Sequence, residues 1–511
     1  MYYRIDSFTL HGLEAVPVSV EADISDGLPI MELVGYLGSE VKEARERVRT
    51  AIKNSGFDLP VKRITVNISP ADIRKQGTAF DFPIALSILA CMDSIPESSL
   101  KDISVMGELC LNGDIQGVTG VLPRVLKAKE LGMKACIIPL QNVNEAAIVD
   151  GIDVIGVENL SMAVDHLNGK HIISPARVDL YDLINKKQKE VLPDFSQLKG
   201  QWVMKRALEI AASGMHNVLL IGPPGAGKTM AARRLPGIMP PLTKDEIMEL
   251  TKIYSIAGQL PPEGLITVRP FVNPHHTSTP QALVGGGSTP RPGAVSLAHK
   301  SVLFLDELPE FSKTALEVLR QPIEDGQVNI ARAMASYTFP ARFLLIAAMN
   351  PCRCGYYPDK NRCRCSEADV RSYMGRISGP LLDRIDLCIS ADEMKFDDMF
   401  TDSPEESSES IRARVIRARG LMQKRFLNEN ITCNGEMNSS QVMKYCILGE
   451  KEKALLKDAF KKLGLSARSY HRILKVARTI ADLKEDPELK EEYLFEALSY
   501  KLPGPDYFSG F

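Results

Sequence analysis

The sequence predicts an α/β protein of several domains that ends in a wholly helical region. The chain has 511 residues, which is more than a single hydrophobic core usually holds. Short apolar runs of strand length alternate with amphipathic stretches up to about residue 402, whereas helical spacing of apolar residues dominates beyond it. Hydrophobic residues make up 44% of the chain and charged residues 25%, so we expect an ordinary folded protein.

Charge and the length of apolar runs narrow the classes of protein further. The formal net charge is −2, so any contact with nucleic acid must come from a local basic surface. The longest apolar runs, such as NVLLIG and FLLIAAM, are far too short to span a bilayer. The amino-terminal stretch MYYRIDSFTL lacks the layout of a signal peptide. We therefore expect a cytoplasmic protein without membrane contact.

Composition and periodicity divide the chain into four parts. The first, 1–170, contains the predicted strand RITVNISP and the amphipathic helix SEVKEARERVRTAIKNSG, and it reads as a compact α/β domain. A polar, charged linker is expected over 171–193. A second α/β unit follows over 194–402 and an all-helical domain over 403–511. Three strands of the second unit are predicted at 217–221, 302–305 and 343–348.

The stretch NVLLIGPPGAGKTMAARRL is an apolar strand, a glycine-rich loop of the form G-x-x-x-x-G-K-T, and a helix. Backbone N–H groups in such a loop turn toward phosphate oxygens, while Lys228 offers a cation to the β- and γ-phosphates. The Thr229 hydroxyl can ligate Mg²⁺. The motif therefore predicts a site for ATP and Mg²⁺. Its residues are Gly222, Pro223, Pro224, Gly225, Ala226, Gly227, Lys228 and Thr229.

Two further predicted strands end in polar residues. SVLFLDELPE delivers Asp306 and Glu307 at its carboxyl end, where α/β sheets place their ligands. Asp306 is expected to hold Mg²⁺, usually through water, and Glu307 to polarise the attacking water. ARFLLIAAMN ends in Asn350, whose side chain can orient the same water. Together with the glycine-rich loop, these signals describe an AAA+ ATPase with a parallel sheet, in which such an asparagine is called sensor 1.

Two arginines suit the remaining catalytic roles. Arg384 in SGPLLDRIDL fits an arginine finger, which a neighbouring subunit normally delivers; the alternative is an ordinary surface ion pair with an adjacent aspartate. Arg468 opens a helix in GLSARSYHRILKVAR, where a helical AAA+ lid places its sensor 2 arginine, although Arg472 and Arg478 are rivals. A finger that acts on another subunit requires a homo-oligomer, and we expect a hexamer.

Four of the ten cysteines lie in one short loop, 352–365, with the spacing C-x-C, eight residues, C-x-C. Four thiolates at this spacing can close a tetrahedral Zn²⁺ site of the structural kind. Free or redox-active thiols are the alternative. The predicted zinc ligands are Cys352, Cys354, Cys363 and Cys365.

These motifs together resemble those of the bacterial magnesium-chelatase-like AAA+ proteins of the ComM/YifB group. The stretches that carry the resemblance are GPPGAGKT, VLFLDELPEF, AAMNPCRCG, SGPLLDRIDL and LSARSYHRILKVARTIADL, and they extend over nearly the whole chain. The resemblance implies a hexameric, ATP-hydrolysing helicase that promotes branch migration of DNA in recombination or natural transformation. It also admits recombination proteins as partners.

The amino-terminal part resembles the Lon-type protease domain, which has a ribosomal-protein-S5-like fold. RKQGTAFDFPIALSILA is similar to the stretch that carries the Lon serine nucleophile, and that place is taken by Ala79. GELCLNGDIQGVTGVLPRVLKAKE is similar to the stretch with the catalytic lysine, and that place is taken by Pro123. We therefore expect the fold without protease chemistry. Lys75, Lys127 and Lys129 are either DNA contacts or, more simply, solvated surface charges on a helix.

Two segments are candidates for gripping a polymer. QALVGGGSTPRPGAVSLAHK is rich in glycine and carries Arg291, and it resembles the helix-2 insertion of this AAA+ branch. GQVNIARAMASYTFPARF alternates like a hairpin, with Arg332 near its tip. Cations on loop tips suit sequence-independent contact with branched, single-stranded or duplex DNA. His275 and His276 have no carboxylate or cysteine close in sequence, so we expect them to order a loop. The charged run 405–425 reads as a solvated helix.

Two other functions remain open alongside the DNA motor. The chain could be the ATPase subunit of a metal-chelatase-type remodelling complex, and the Lon-like amino-terminal part is the feature that argues against this. An ATP-dependent protease is opposed by Ala79 and Pro123.

Overall fold

The computed structural model describes residues 2–179, 193–287, 290–332, 335–359, 361–391, 393, 405–463 and 465–500. Most of the expected linker, 180–192, lies outside the described residues. The chain forms two compact units that are not continuous in sequence. Unit 1 consists of Met1–Asn185, Lys244–Thr267 and Ala333–Thr338. Unit 2 consists of Lys186–Thr243, Val268–Arg332 and Phe339–Phe511.

Strands and helices alternate through most of the chain. The strands are β1 (Tyr2–His11), β2 (Glu14–Ser25), β3 (Met31–Val34), β4 (Arg63–Ser69), β5 (Ile103–Val105), β6 (Glu108–Leu109), β7 (Ile115–Gln116), β8 (Ala135–Pro139), β9 (Asp153–Val157), β10 (Val218–Ile221), β11 (Phe271–Val272), β12 (Gly285–Gly286), β13 (Arg291–Pro292), β14 (Val302–Leu305), β15 (Gln327–Arg332), β16 (Ala335–Pro340), β17 (Leu344–Met349) and β18 (Leu387–Ser390). The α-helices before residue 400 are Ser39–Asn54, Asp81–Cys91, Val121–Glu130, Val143–Ala146, Leu160–Leu167, Trp202–Gly214, Lys228–Ile238, Lys244–Ala257, Pro280–Val284, Ala294–Leu297, Lys313–Glu317, Arg320–Asp325, Glu367–Met374 and Gly379–Leu382.

A seven-stranded mixed sheet forms the centre of unit 1, in the order β3-β4-β2-β1-β5-β8-β9. The alternating sequence of β4 matches its position in the sheet. Ile64, Val66 and Ile68 are buried on one face, and the residues between them are more exposed. Helix Asp81–Cys91 is buried along its whole length, which accounts for its uniformly apolar composition. The α/β class predicted for this part of the chain is confirmed.

Unit 1 places the protease-like positions inside its core. Ala79 is buried and Pro123 lies on the buried side of helix Val121–Glu130. The expectation for Lys75 as a surface lysine on a helix is wrong, because its side chain is fully buried outside any helix and its Nζ donates to the carbonyl of Pro70. Burial lowers the pKa of Lys75. Lys127 does lie at the surface, where it pairs with Glu130 at 2.8 Å.

Unit 2 contains a five-stranded parallel sheet in the order β11-β14-β17-β10-β18. Strands β14 and β17 are buried at every residue, as expected for a parallel sheet that is covered on both faces. The carboxyl ends of three adjacent strands lead directly into Gly222, Asp306 and Asn350. The parallel sheet predicted from the apolar runs is therefore confirmed, and it brings the polar strand ends to one edge.

The described residues beyond 404 are helical and contain no strand. Their α-helices are Ser408–Arg425, Ser439–Tyr445, Glu450–Leu463, Ala467–Leu483 and Glu491–Ser499. The charged run 405–425 forms a helix that buries Ile411, Val415, Ala418 and Met422 on one face, so only part of it is solvated. Within the described ranges, each helix is too short or too polar to cross a bilayer.

Candidate nucleotide-binding site

The glycine-rich loop connects strand β10 to helix Lys228–Ile238. Gly227, the residue before the helix, has φ +78°, a left-handed conformation that residues with a side chain rarely adopt. The loop therefore turns sharply into the first helical turn, whose N–H groups have no partner within the helix and can bind an anion. This is the backbone arrangement that a phosphate-binding loop needs.

Lys228 connects this loop to the end of a second strand. Its Nζ donates to the carbonyls of Gly222 and Pro223 at 2.6 and 2.8 Å and to Oδ1 of Asn350 at 3.1 Å. Burial lowers the pKa of Lys228, and the neighbouring Asp306 opposes that shift. The predicted phosphate-binding cation and the predicted sensor asparagine are therefore in direct contact, although 122 positions separate them in the sequence.

A second contact joins Thr229, in the first turn of helix Lys228–Ile238, to Asp306 at the end of β14. The Thr229 hydroxyl donates to Oδ2 of Asp306 at 2.8 Å, and Oδ1 of Asp306 accepts the backbone N–H of Glu307 at 3.0 Å. A hydroxyl and a carboxylate are the hard oxygen donors that Mg²⁺ prefers. The residues therefore fit the Mg²⁺ site expected from the sequence.

Glu307 lies beside a residue that sequence reasoning did not assign to the site. Its side chain is 57% exposed, and Nδ1 of His276 lies 3.4 Å from its Oε2. The ring of His275 lies against that of His276, tilted by 34° with centroids 4.1 Å apart, and its Nδ1 is hydrogen-bonded to the Thr277 hydroxyl at 2.8 Å. No local sequence pattern signals the His276–Glu307 contact, because only the fold brings these residues, 31 positions apart, together.

The structure does not bring Arg384 and Arg468 to the residues named so far. Both guanidinium groups instead contact the carboxylate of Glu324: Nη2 of Arg384 donates to Oε2, and Nη2 of Arg468 donates to Oε1 at 2.8 Å. The hydrogen bond from Arg384 lowers the pKa of Glu324. Among the described residues, no hydrogen bond or ion pair joins either arginine to the glycine-rich loop, Glu307 or Asn350.

The two rivals of Arg468 are committed to other contacts. Arg472 donates to the carbonyls of Leu382 and Ile385, the former at 3.3 Å. Arg478 is 3% exposed and bonds Asp482 at 3.2 Å. Arg468, in contrast, is 50% exposed. Of the three arginines, it is therefore the one available to a ligand.

The four loop cysteines come together as a compact cluster. All four sulfur atoms lie within 4.8 Å of one another. The Sγ of Cys352 is 3.3 Å from that of Cys354 and 3.8 Å from that of Cys363. A tetrahedral Zn²⁺ with Zn–S bonds near 2.3 Å separates its sulfurs by about 3.8 Å, so this cluster is compatible with a structural zinc. Although burial opposes the shift, hydrogen bonds that the Cys354 sulfur accepts from the Tyr356 backbone and from the Cys352 thiol lower the pKa of Cys354 to about 6, which favours a thiolate.

The cysteine loop packs directly on the glycine-rich loop. Gly355 has φ +89°, and a Cβ at this position would lie 2.7 Å from Cδ of Pro224 and 3.9 Å from Cγ of Asn350. Such a short approach to a proline ring admits no side chain at position 355. The loop that carries the cysteine cluster is therefore in contact with the glycine-rich loop at Gly355.

The two predicted DNA-contact arginines lie at the surface of unit 2. Arg291 is exposed on β13, which pairs antiparallel with β12 in the glycine-rich segment. Arg332 ends β15, and its Nη2 donates to the carbonyl of Gly287 at 2.9 Å. The structure thus brings Arg332 to the glycine-rich segment that also carries Arg291.

Comparison with known families matches three parts of the chain. The family described as magnesium chelatase, subunit ChlI, matches residues 194–399, and the family of its carboxyl-terminal part matches residues 405–501. The family described as subunit ChlI of Mg-chelatase matches residues 20–142. Together these matches cover both α/β regions and the helical region.

Individual relatives match over nearly the whole length. The chain is 42% identical over 492 residues to the competence protein ComM of Haemophilus influenzae, which covers 96% of this chain and 95% of that protein. It is 40% identical over 491 residues to the uncharacterized protein YifB of Escherichia coli, with the same coverage. Over 131 residues, 25% of this chain and 23% of the other, it is 29% identical to Lon protease 2 of Bacillus subtilis.

Proposed function

Because the chain belongs to the magnesium-chelatase-like AAA+ family of ComM and YifB, we propose that it is a ring-forming ATPase that moves DNA, a helicase promoting branch migration in recombination or natural transformation. The family implies ATP and Mg²⁺. The observation that carries the proposal is the meeting of three strand ends: Lys228 bonds Asn350, and Thr229 bonds Asp306.

Each residue of this arrangement has a role in ATP hydrolysis. Lys228 binds the β- and γ-phosphates once ATP displaces its backbone carbonyl partners. Thr229 and Asp306 hold Mg²⁺, which neutralises charge that develops on the transferring phosphoryl group. Glu307 accepts a hydrogen bond from the attacking water, and Asn350 fixes the direction of attack. Arg384 and Arg468 stabilise the transition state.

The proposed domains follow these roles. Residues 1–170 form a Lon-like, S5-like domain without the protease dyad, and 171–193 form a linker. Residues 194–402 form the AAA+ core, which includes the zinc-binding loop 352–365. Residues 403–511 form the lid. The active assembly is a hexamer in the cytoplasm.

DNA is the proposed polymer for three reasons. One relative is named a competence protein. The amino-terminal part is Lon-like over 131 residues, as expected for the ComM/YifB resemblance. In addition, Arg291 and Arg332 are exposed on one glycine-rich surface, where cations can contact a phosphate backbone without reading its sequence.

The decisive experiment uses purified chain, ATP, Mg²⁺ and synthetic three- and four-stranded DNA junctions. The proposal expects ATP hydrolysis that DNA stimulates, together with ATP-dependent conversion of the junctions. Junctions left intact by a chain whose ATPase activity ignores DNA would refute the DNA motor.

The second candidate is the ATPase subunit of a metal-chelatase-type remodelling complex. The family matches favour it, since all three carry chelatase descriptions, including the match over residues 20–142. The amino-terminal part therefore separates the two functions less sharply than the sequence suggested. ATPase activity that is indifferent to DNA would favour this second function.

A further inference from the structure

Glu324 joins the two arginines that the proposed ATPase would use from separate elements. It lies in the short helix Arg320–Asp325, whereas Arg384 follows helix Gly379–Leu382 and Arg468 lies in the first turn of helix Ala467–Leu483. Sequence separations of 60 and 144 positions show that only tertiary structure brings the three together. One carboxylate accepts one N–H from each guanidinium, so two like charges are held side by side.

Backbone contacts fix this pair further. Nη1 of Arg384 donates to the carbonyl of Pro380 at 2.6 Å. Arg472, one helical turn after Arg468, donates to the carbonyls of Leu382 and Ile385 on either side of Arg384. The helix that carries Arg468 is therefore tied to the segment that carries Arg384, and the two guanidinium groups form one unit.

The unit is open to solvent on the side of Arg468, whose side chain is 50% exposed. The Arg384 side chain is 11% exposed, and its Nε is buried without a hydrogen-bond partner among the described residues. Both arginines and Glu324 line a cavity of about 760 Å³. No residue from Gly222 to Thr229 lines this cavity, nor do Asp306, Glu307 or Asn350, as far as the described residues extend.

Guanidinium groups bind phosphates with the same N–H donors that bind carboxylates, so two guanidinium groups held together by one carboxylate can direct their remaining donors to a phosphate. We propose that Glu324 is a positioning residue that presets Arg384 and Arg468 as one clamp for the terminal phosphate of ATP held by a second copy of this chain. This inference rests on the proposed ATPase function.

Mixed assemblies test whether Arg468 acts on a neighbour. Under the proposal, Arg468→Ala protein and Lys228→Ala protein each have little or no ATPase activity when assayed separately. The first lacks an intact clamp, and the second cannot bind the phosphates of its own ATP. When mixed and allowed to reassemble, a Lys228→Ala neighbour supplies an intact clamp to an Arg468→Ala subunit, and part of the ATPase activity returns. If the mixture stays at the level of its components while Arg384→Ala with Lys228→Ala recovers, Arg468 acts within its own subunit and the proposal is wrong.

Charge removal tests Glu324 itself. Glu324→Gln keeps the shape of the side chain, and we expect kcat to fall by about 10- to 100-fold, the scale of a small misplacement of catalytic groups. The affinity for a fluorescent ATP analogue should stay within about twofold, because Glu324 does not line the same subunit's nucleotide site. Glu324→Asp should restore part of the rate, and adding Glu324→Gln to Arg468→Ala should cause little further loss.

The matched control is Glu317→Gln, which removes an ion pair with Arg320 at 2.6 Å close to the clamp. It should leave kcat unchanged, and thermal unfolding should be alike for all these variants. Wild-type or raised kcat in Glu324→Gln would overturn the positioning role. A wild-type chain that hydrolyses no ATP overturns the proposed function instead, whereas an active wild type with an indifferent Glu324 overturns this inference alone.

Discussion

Each unit of the molecule contains a buried lysine whose ammonium group donates to backbone carbonyls, yet the surroundings of the two lysines differ. Lys75 in unit 1 is fully buried and donates to the carbonyl of Pro70, five positions away in the chain. Lys228 in unit 2 is 8% exposed and donates to two carbonyls of its own loop and to the side chain of Asn350. Burial lowers the pKa of both.

The difference lies in the side chains that converge from other elements. Around Lys228, strand ends bring Asn350, Thr229 and Asp306 together within hydrogen-bond distance. The hydrogen bond of Lys75 goes to a backbone carbonyl, and Ala79 and Pro123, which the sequence predicts at the Lon-like catalytic positions of unit 1, offer neither a nucleophile nor a base. A buried cation therefore indicates a site only when polar groups from separate strands meet it; by itself it is part of the packing.

The largest effect is expected at Glu307, the carboxylate that follows Asp306 at the end of β14. Glu307→Gln should lower ATP turnover by about 10²- to 10⁴-fold, the range for loss of a general base, while nucleotide binding persists. The unit 1 control is Glu108→Gln, which removes a carboxylate bonded to Thr78. Steady-state ATPase assays and binding of a fluorescent ATP analogue measure both. Normal ATP hydrolysis by Glu307→Gln would show that Glu307 is not the residue that polarises the attacking water.

The second-largest effect is expected from replacing Lys228, with replacement of Lys75 as the comparison. Lys228→Ala should weaken ATP binding by about 1.5–3 kcal/mol, the value of hydrogen bonds to a charged group. Lys75→Met keeps most of the buried stem and should leave ATP affinity unchanged. Titration calorimetry measures both affinities. Equal losses from the two substitutions would mean that Lys75 belongs to a site after all.

The third prediction compares the zinc content of the protein after substitution of a cysteine in unit 2 and of one in unit 1. Wild-type protein should contain about one Zn²⁺ per chain, and Cys352→Ser should lose it, since a structural site needs all four ligands. Cys136→Ser is the control from unit 1, where burial raises the pKa of the thiol to about 12 and disfavours a thiolate. Elemental analysis of the purified proteins decides. Identical, sub-stoichiometric zinc in wild type and Cys352→Ser would rule out the site.

The smallest effects are expected at the surface. Arg332→Ala should weaken DNA binding several-fold on any sequence and reduce the slope of log affinity against log salt by about one. Lys127→Ala removes a lysine that is paired with Glu130 and should change neither quantity. Fluorescence anisotropy at several salt concentrations measures both. If the salt dependence of DNA binding changed in Lys127→Ala and not in Arg332→Ala, the DNA-contacting surface would lie on unit 1 and not at Arg332.

The sequence predicted those parts of the site that depend on local motifs and on one rule of topology. The glycine-rich loop, Asp306 and Asn350 each follow an apolar run, and adjacent parallel strands deliver their ends to the same edge, as the structure has them. The α/β class followed from the same runs. The pairing of Lys228 with Asn350 needs only the order of strands, which the motifs imply.

Other features depend on contacts that no local pattern encodes. Glu324 looks like any acidic residue near the end of a helix, and His276 has no acidic neighbour in sequence, so neither could be assigned before the fold was known. Lysines usually lie at the surface, so the sequence predicts Lys75 there, whereas in the structure Lys75 is buried and its Nζ donates to the carbonyl of Pro70. Segment Lys244–Thr267 belongs to unit 1 although its neighbours in sequence belong to unit 2, which composition does not reveal.

The contact between Gly355 and Pro224 has a consequence for anyone who redesigns this protein. An oxidation-resistant variant would replace the cysteine loop by a loop without thiols. Since a single added carbon at position 355 would lie 2.7 Å from the Pro224 ring, the replacement must keep glycine at this register or change position 224 with it. Positions 224 and 355 must therefore be varied together. A library that varies the cysteine loop alone would place side chains at position 355 that collide with Pro224 in the glycine-rich loop.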